Sequence, residues 1–70
     1  MNKIILAVIE PTHNTYGRNR ITVLLEGGQE EVVGHYYTDE LKFTEKEFIG
    51  LTYSEASDLF TKRDIAYLRS

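Results

Sequence analysis

No cysteine occurs in the chain, so neither a disulfide framework nor a thiolate zinc site is open to it, and these are the usual staples of a small domain. Long apolar runs are missing as well. Residues 4–9 are continuously apolar, but the run ends at Glu10 without a small-residue cleavage site. It falls far short of the roughly 20 residues that span a bilayer and of a secretory signal. The expectation is a soluble, cytoplasmic protein with no membrane partner. There is no excess of basic residues: the formal net charge is -3, which argues against general nucleic-acid binding. The two histidines, His13 and His35, belong to no HxH or HExxH pattern, and there is neither a GxGxxG run nor a Walker lysine. With no nucleophile and base legible together, the chain reads as a non-enzyme that needs no metal and no cofactor.

At 70 residues the chain makes one domain, residues 1–70, and a domain of this size buries only roughly 60% of the surface its unfolded form exposes. Without cross-links it must pack well or oligomerise, and a homodimer is the expectation. The charge is unevenly spread. Up to residue 20, Lys3, Arg18 and Arg20 outweigh Glu10 and leave +2. Over residues 21–48, Glu26, Glu30, Glu31, Asp39, Glu40, Glu45 and Glu47 outweigh Lys42 and Lys46 and leave -5. The remainder is balanced.

The β-branched run at 4–9 suits a strand covered on both faces, and therefore a central one. Pro11, the only proline, has no N–H and should end its ladder. The turn formers Asn14, Gly17 and Asn19 make residues 10–20 the long connection of a β-hairpin. Ile21, Val23 and Leu25 alternate with Thr22, Leu24 and Glu26 as a second strand. Gly27-Gly28 then signals a tight turn into a third strand over about 30–37. There alternation sets Val33, His35 and Tyr37 on one face, with His35 filling a half-buried position, and Gly34 marks a bulge or a close backbone approach.

Beyond Tyr37 short polar blocks carry single apolar residues. Thr44 with Glu47 and Thr52 with Glu55 both have capping-box spacing. The first suits a single turn stopped by Gly50; the second opens the main helix, 53–62, because Ala56, Leu59 and Phe60 follow at helical intervals. The apolar phase is lost at Arg63-Asp64, so 65–69 reads as a short closing strand, with a longer helix as the alternative. The fold expected is α+β: a mainly antiparallel sheet of three or four strands with one helix packed on it.

Two sets of residues carry candidate chemistry. In the polar connection, His13, Asn14, Tyr16, Arg18, Asn19 and Arg20 combine forked guanidinium donors, a stacking ring and amide edges, which suits a nucleotide-like anion; the plain reading is a solvated loop whose arginines pair with Glu10 or Glu26. In the acidic segment, Tyr36, Tyr37, Asp39, Glu40, Glu45 and Glu47, with Phe43 and Phe48, mix carboxylates and large apolar groups. That composition suits contact with a basic protein partner, although Phe43 and Phe48 read first as core residues under a polar face, which leaves only the carboxylates exposed.

The stretch Ile21-Thr22-Val23-Leu24-Leu25-Glu26, its polar turn, His35-Tyr36-Tyr37 and the acidic block from Leu41 to Phe48 together resemble the hairpin and acidic segment of small phage-encoded inhibitor proteins, among them the short dimeric inhibitors of uracil-DNA glycosylase. The likeness covers about half the chain; the strand at 4–9 and the polar connection are additions to it. It implies a small acidic protein that binds and blocks a host protein, such as a defence or nucleic-acid enzyme. The alternatives are capture of a nucleotide-like anion by the polar loop, and a structural or regulatory interaction module.

Overall fold

In the computed structural model, which describes residues 2–12 and 17–69, three antiparallel strands lie in the order of the chain. They are β1 (Ile4–Pro11), β2 (Arg18–Leu25) and β3 (Glu30–Tyr37). Both connections are hairpins, so β2 is the central strand. β1 is an edge, not the centre that its apolar run suggests: Ile4 and Ala7 are buried, but Leu6 and Val8 stand exposed on the far face of the sheet. Its outer edge is covered instead by the later chain. The Ile4 N–H donates to the Leu51 carbonyl at 2.7 Å, the Gly50 N–H to the Ile4 carbonyl at 2.9 Å, and the Ile9 N–H to Glu45 Oε2 at 2.8 Å.

Pro11 ends the ladder as expected, as its last pair, opposite Asn19, and the edge position explains how a proline is accommodated there. Because the Ile9 N–H points away from β2, strand alternation aims the Pro11 nitrogen outward too, where no ladder bond is lost. The polar connection is correspondingly shorter than expected. Arg18, Asn19 and Arg20 are not loop residues but the first three residues of β2, facing Tyr37, Tyr36 and His35 across the ladder.

The second hairpin closes at Leu25–Gln29. The Gly28 N–H donates to the Leu25 carbonyl and the Leu25 N–H to the Gln29 carbonyl, both at 2.9 Å. Of the Gly27-Gly28 pair only Gly28 takes the left-handed conformation, φ 87, as in a three-residue hairpin loop that ends in a left-handed residue. In β3 the register slips by one: Ile21 pairs with Gly34 but Thr22 with Val32. Val33 is the extra residue of a bulge, so it packs partly buried against the core. His35 and Tyr37 then fall on the exposed side, and His35 does not fill a half-buried site. Gly34 is there for close approach as well, since a Cβ at this position would sit 2.9 Å from the Phe60 ring.

Thr44 opens a 3-10 turn, Glu45–Glu47, with its N–H and hydroxyl both donating to Glu47 Oε2 at 2.7 and 3.1 Å. Thr52 and Glu55 form a reciprocal capping box, Thr52 N–H to Glu55 Oε1 at 2.9 Å and Glu55 N–H to Thr52 Oγ1 at 3.2 Å. These bonds hold the Glu55 carboxyl below its ordinary range by favouring the charged acceptor. Helix α1 runs from Tyr53 to Arg69, so 65–69 continues the helix and forms no closing strand. The phase is not lost at residue 63. Arg63 takes the next place on the stripe of Ala56, Leu59 and Phe60 and lays its guanidinium over the Phe43 ring, 4.7 Å from the centroid. A long basic side chain serves there as a core-covering residue.

The core lies between one face of the sheet and the layer formed by α1 and residues 41–51. Ile4, Ile21, Val23 and Phe48 are its largest fully buried side chains. Phe43 is its hub, edge-on to Tyr36 at 5.0 Å, tilted on Phe48 at 5.9 Å and stacked with Phe60 at 5.3 Å. Such pairs add about 0.5–1.5 kcal/mol each beyond their buried area. Phe43 and Phe48 are therefore core residues. Among the described residues no element packs on the opposite face of the sheet, where Leu6, Val8 and Val32 stand exposed.

Candidate functional site

The acidic segment divides by what its residues touch. Tyr36 is buried, 6% exposed; its ring packs on Phe43 and its hydroxyl accepts from Asn19 Nδ2 at 3.3 Å. Glu45 caps the β1 edge. Glu47 forms a forked pair with Arg63, Nη2 to Oε1 at 2.6 Å and Nη1 to Oε2 at 3.1 Å. That pair, helped by the bonds from Thr44, draws the Glu47 carboxyl down to about 2 and raises Arg63. These three side chains are engaged within the chain. Tyr37, Asp39 and Glu40 are exposed.

Asp39 and Glu40 sit on a turn that is tightly held at both ends. The Glu40 and Leu41 N–H groups donate to the Tyr37 carbonyl at 3.0 and 3.1 Å. Tyr36 on one side and Leu41 and Phe43 on the other are buried in the core. The Thr38 N–H and hydroxyl both donate to the Gly17 carbonyl, at 2.9 and 3.2 Å. The turn therefore lies against the point where the polar connection re-enters the sheet, and Arg18 stands over the Tyr37 ring, 5.9 Å from its centroid. The two candidate sets, separate in sequence, adjoin at one end of the sheet.

Of the polar set, His13, Asn14 and Tyr16 lie outside the described residues. Arg20 pairs with Glu10, Nη2 to Oε1 at 2.9 Å, as the solvated-loop reading anticipated for one of the arginines. Asn19 is used on Tyr36. A groove of about 600 Å3 along α1 is lined by Glu47, Leu51, Glu55, Asp58, Leu59 and Lys62. Two of its carboxylates are already occupied, Glu47 by Arg63 and Glu55 by Thr52. Among the described residues no group of three or more His, Asp or Glu side chains is arranged to hold a metal ion, and no helix is long and apolar enough to cross a membrane.

Sequence reasoning missed two features. One is Arg63, which interrupts the apolar stripe in the sequence; its signal is the i+3, i+4 spacing from Phe60 and Leu59. The other is the bare sheet face carrying Leu6, Val8 and Val32, whose signal was the same run at 4–9 that had suggested a strand covered on both sides. Comparison with known protein families, with curated proteins and with solved structures finds no match for this chain.

Proposed function

We propose that this chain is a non-enzymatic binding protein of the phage-inhibitor type, which blocks a host defence or nucleic-acid enzyme by protein–protein contact through the turn Tyr37, Asp39 and Glu40. The observation that carries the reading is that both carboxylates are exposed on a turn fixed by backbone bonds to Tyr37 and by buried residues on either side. No other described side chain engages them. Carboxylates held in this way meet a basic surface with little ordering cost and steer the encounter at long range. Of the broader acidic surface expected from the sequence, Glu45 and Glu47 serve the fold. Anion capture by the polar loop is less well supported, because Arg20 is neutralised by Glu10 and Asn19 is spent on Tyr36.

The test is affinity capture from host lysate, identification of the captured protein by mass spectrometry, and titration of that protein against salt. Asp39→Asn with Glu40→Gln should weaken binding at least about tenfold and flatten its salt dependence, while Arg18→Ala leaves it nearly unchanged. Equal affinity for the amide variant refutes the reading, and so does loss of binding on Arg18→Ala alone.

A further inference from the structure

At the end of the sheet beside the acidic turn, two threonines grip consecutive carbonyls. The Thr12 N–H and hydroxyl both donate to the Arg18 carbonyl, at 2.9 and 3.1 Å. The Thr38 N–H and hydroxyl both donate to the Gly17 carbonyl, at 2.9 and 3.2 Å. Thr12 follows β1 and Thr38 follows β3, so the start of β2 is held from both sides. A carbonyl has two lone pairs and can accept both donors, and the branched threonine side chain is stiff at χ1, so seating its oxygen costs little freedom. One exposed bond of this kind adds little to global stability; what it fixes is local. Thr38 immediately precedes Asp39. On the other side of Asp39, the Glu40 and Leu41 N–H groups are bonded to the Tyr37 carbonyl. Asp39 thus lies between two anchors, and the one on the strand side reaches across to Gly17, 21 positions away in the chain. Gly17 is fitted to this part. Its φ is 77, and no described atom lies within 4 Å of a Cβ built there. A side chain would meet no obstacle; it would disturb the backbone angle and with it the direction of the carbonyl.

The geometry points to Thr38 as the positioning residue of the Asp39–Glu40 contact and to Gly17 as its seat, so that the end of the polar connection shapes a surface to which it gives no side chain. The role in binding rests on the partner-binding reading; the hold on the turn does not. What the contact takes from this stretch is the Gly17 carbonyl and not the Arg18 guanidinium, so neighbouring substitutions should differ in effect. Carboxylates held in one direction lose little freedom on docking. With the clamp open they keep their charge and still steer the encounter, but every docking event must first order the turn. Losing the clamp therefore speeds dissociation and leaves the salt dependence of association in place. Removing the carboxylates does the reverse to the salt dependence, which tells the two kinds of variant apart.

The test has two arms. In the free, full-length chain, amide hydrogen exchange followed by NMR reads the turn directly. Thr38→Val should speed exchange at Glu40 and Leu41 about fivefold, and Gly17→Ala should do the same. Thr38→Ser should keep the wild-type rates, and Thr12→Val, which opens the matching grip on the β1 side, should leave them unchanged. In the second arm the probe is the host protein captured by the wild-type chain. Thr38→Val and Gly17→Ala should dissociate from it about three to ten times faster, with an unaltered salt dependence of association, and Thr38→Ser should restore the wild-type rate. Unchanged exchange at Glu40 and Leu41 in Thr38→Val overturns the inference, as do equal acceleration in Thr12→Val, failure of serine to rescue, and a wild-type dissociation rate in Thr38→Val. If no host protein is captured, the partner-binding reading falls by itself, and the exchange arm still decides whether the clamp holds the turn.

Discussion

Removing the charge from Glu47 should expose a pH-dependent part of this protein's stability that belongs to one ion pair. Arg63 makes three contacts: the forked pair with Glu47, a bond from Nη1 to the Lys42 carbonyl at 2.8 Å, and the stack over Phe43. Charged hydrogen bonds are worth about 1.5–3 kcal/mol when shielded, but both side chains are partly exposed, 32% and 29%. Solvent screening reduces the pair to about 1–2 kcal/mol. The cation–π contact adds about 0.5–1 kcal/mol. Glu47→Gln should thus cost about 1–2 kcal/mol near pH 7 and Arg63→Met about 2–3 kcal/mol, with a coupling of about 1–1.5 kcal/mol in the double-mutant cycle. In a domain this small each kcal/mol lowers Tm by about 4–8 °C.

The sign of the pH effect follows from the direction of the shift. The folded-state carboxyl lies at about 2, below its ordinary 4.5. The stability it contributes is therefore complete above 4.5 and is lost as pH falls through 2. The gap between wild type and Glu47→Gln should close across that window while other carboxylates titrate equally in both proteins. Urea unfolding from about pH 7 down to about pH 2 measures it. A gap of the same size at both ends, or a coupling below about 0.3 kcal/mol, would refute the reasoning.

Three further outcomes test the packing. Gly34→Ala places a methyl against the Phe60 ring and should cost about 1–3 kcal/mol in urea unfolding, much of it recovered in Gly34→Ala/Phe60→Leu; no recovery would mean that the bulge, not the ring, needs glycine. Phe48→Ala empties the fully buried centre of the core and should cost about 3–5 kcal/mol, enough to leave a domain of this size largely unfolded by circular dichroism at 37 °C. Thr52→Ala removes the acceptor for the Glu55 N–H and should lower stability by about 1 kcal/mol, with amide exchange speeding up first at Glu55 and its neighbours.

Local chemistry makes much of this fold legible in the sequence. The two capping boxes, the turn at Gly27-Gly28, the special place of Gly34, the start of α1 at Tyr53 and the three-stranded antiparallel sheet follow from interactions between residues near in the chain, whose spacing is itself the signal. The positions that the sequence misplaces are ones whose setting depends on what packs against the far side of an element. The run at 4–9 specified a strand apolar on both faces, but only the assembled sheet put it at an edge, covered by residues 45–52, with Leu6 and Val8 left bare. His35 and Tyr37 turned outward because a single extra residue, Val33, inverted the alternation. Arg63 reads as polar in any tally of residues, and only the ring of Phe43 and the carboxylate of Glu47, 20 and 16 positions earlier, made it part of the stripe that carries the helix to Arg69. The candidate site divides in the same way. The charge of the acidic segment was visible in composition, but which carboxylates face outward was decided by long-range partners, because a side chain can be committed only by groups that folding brings within reach.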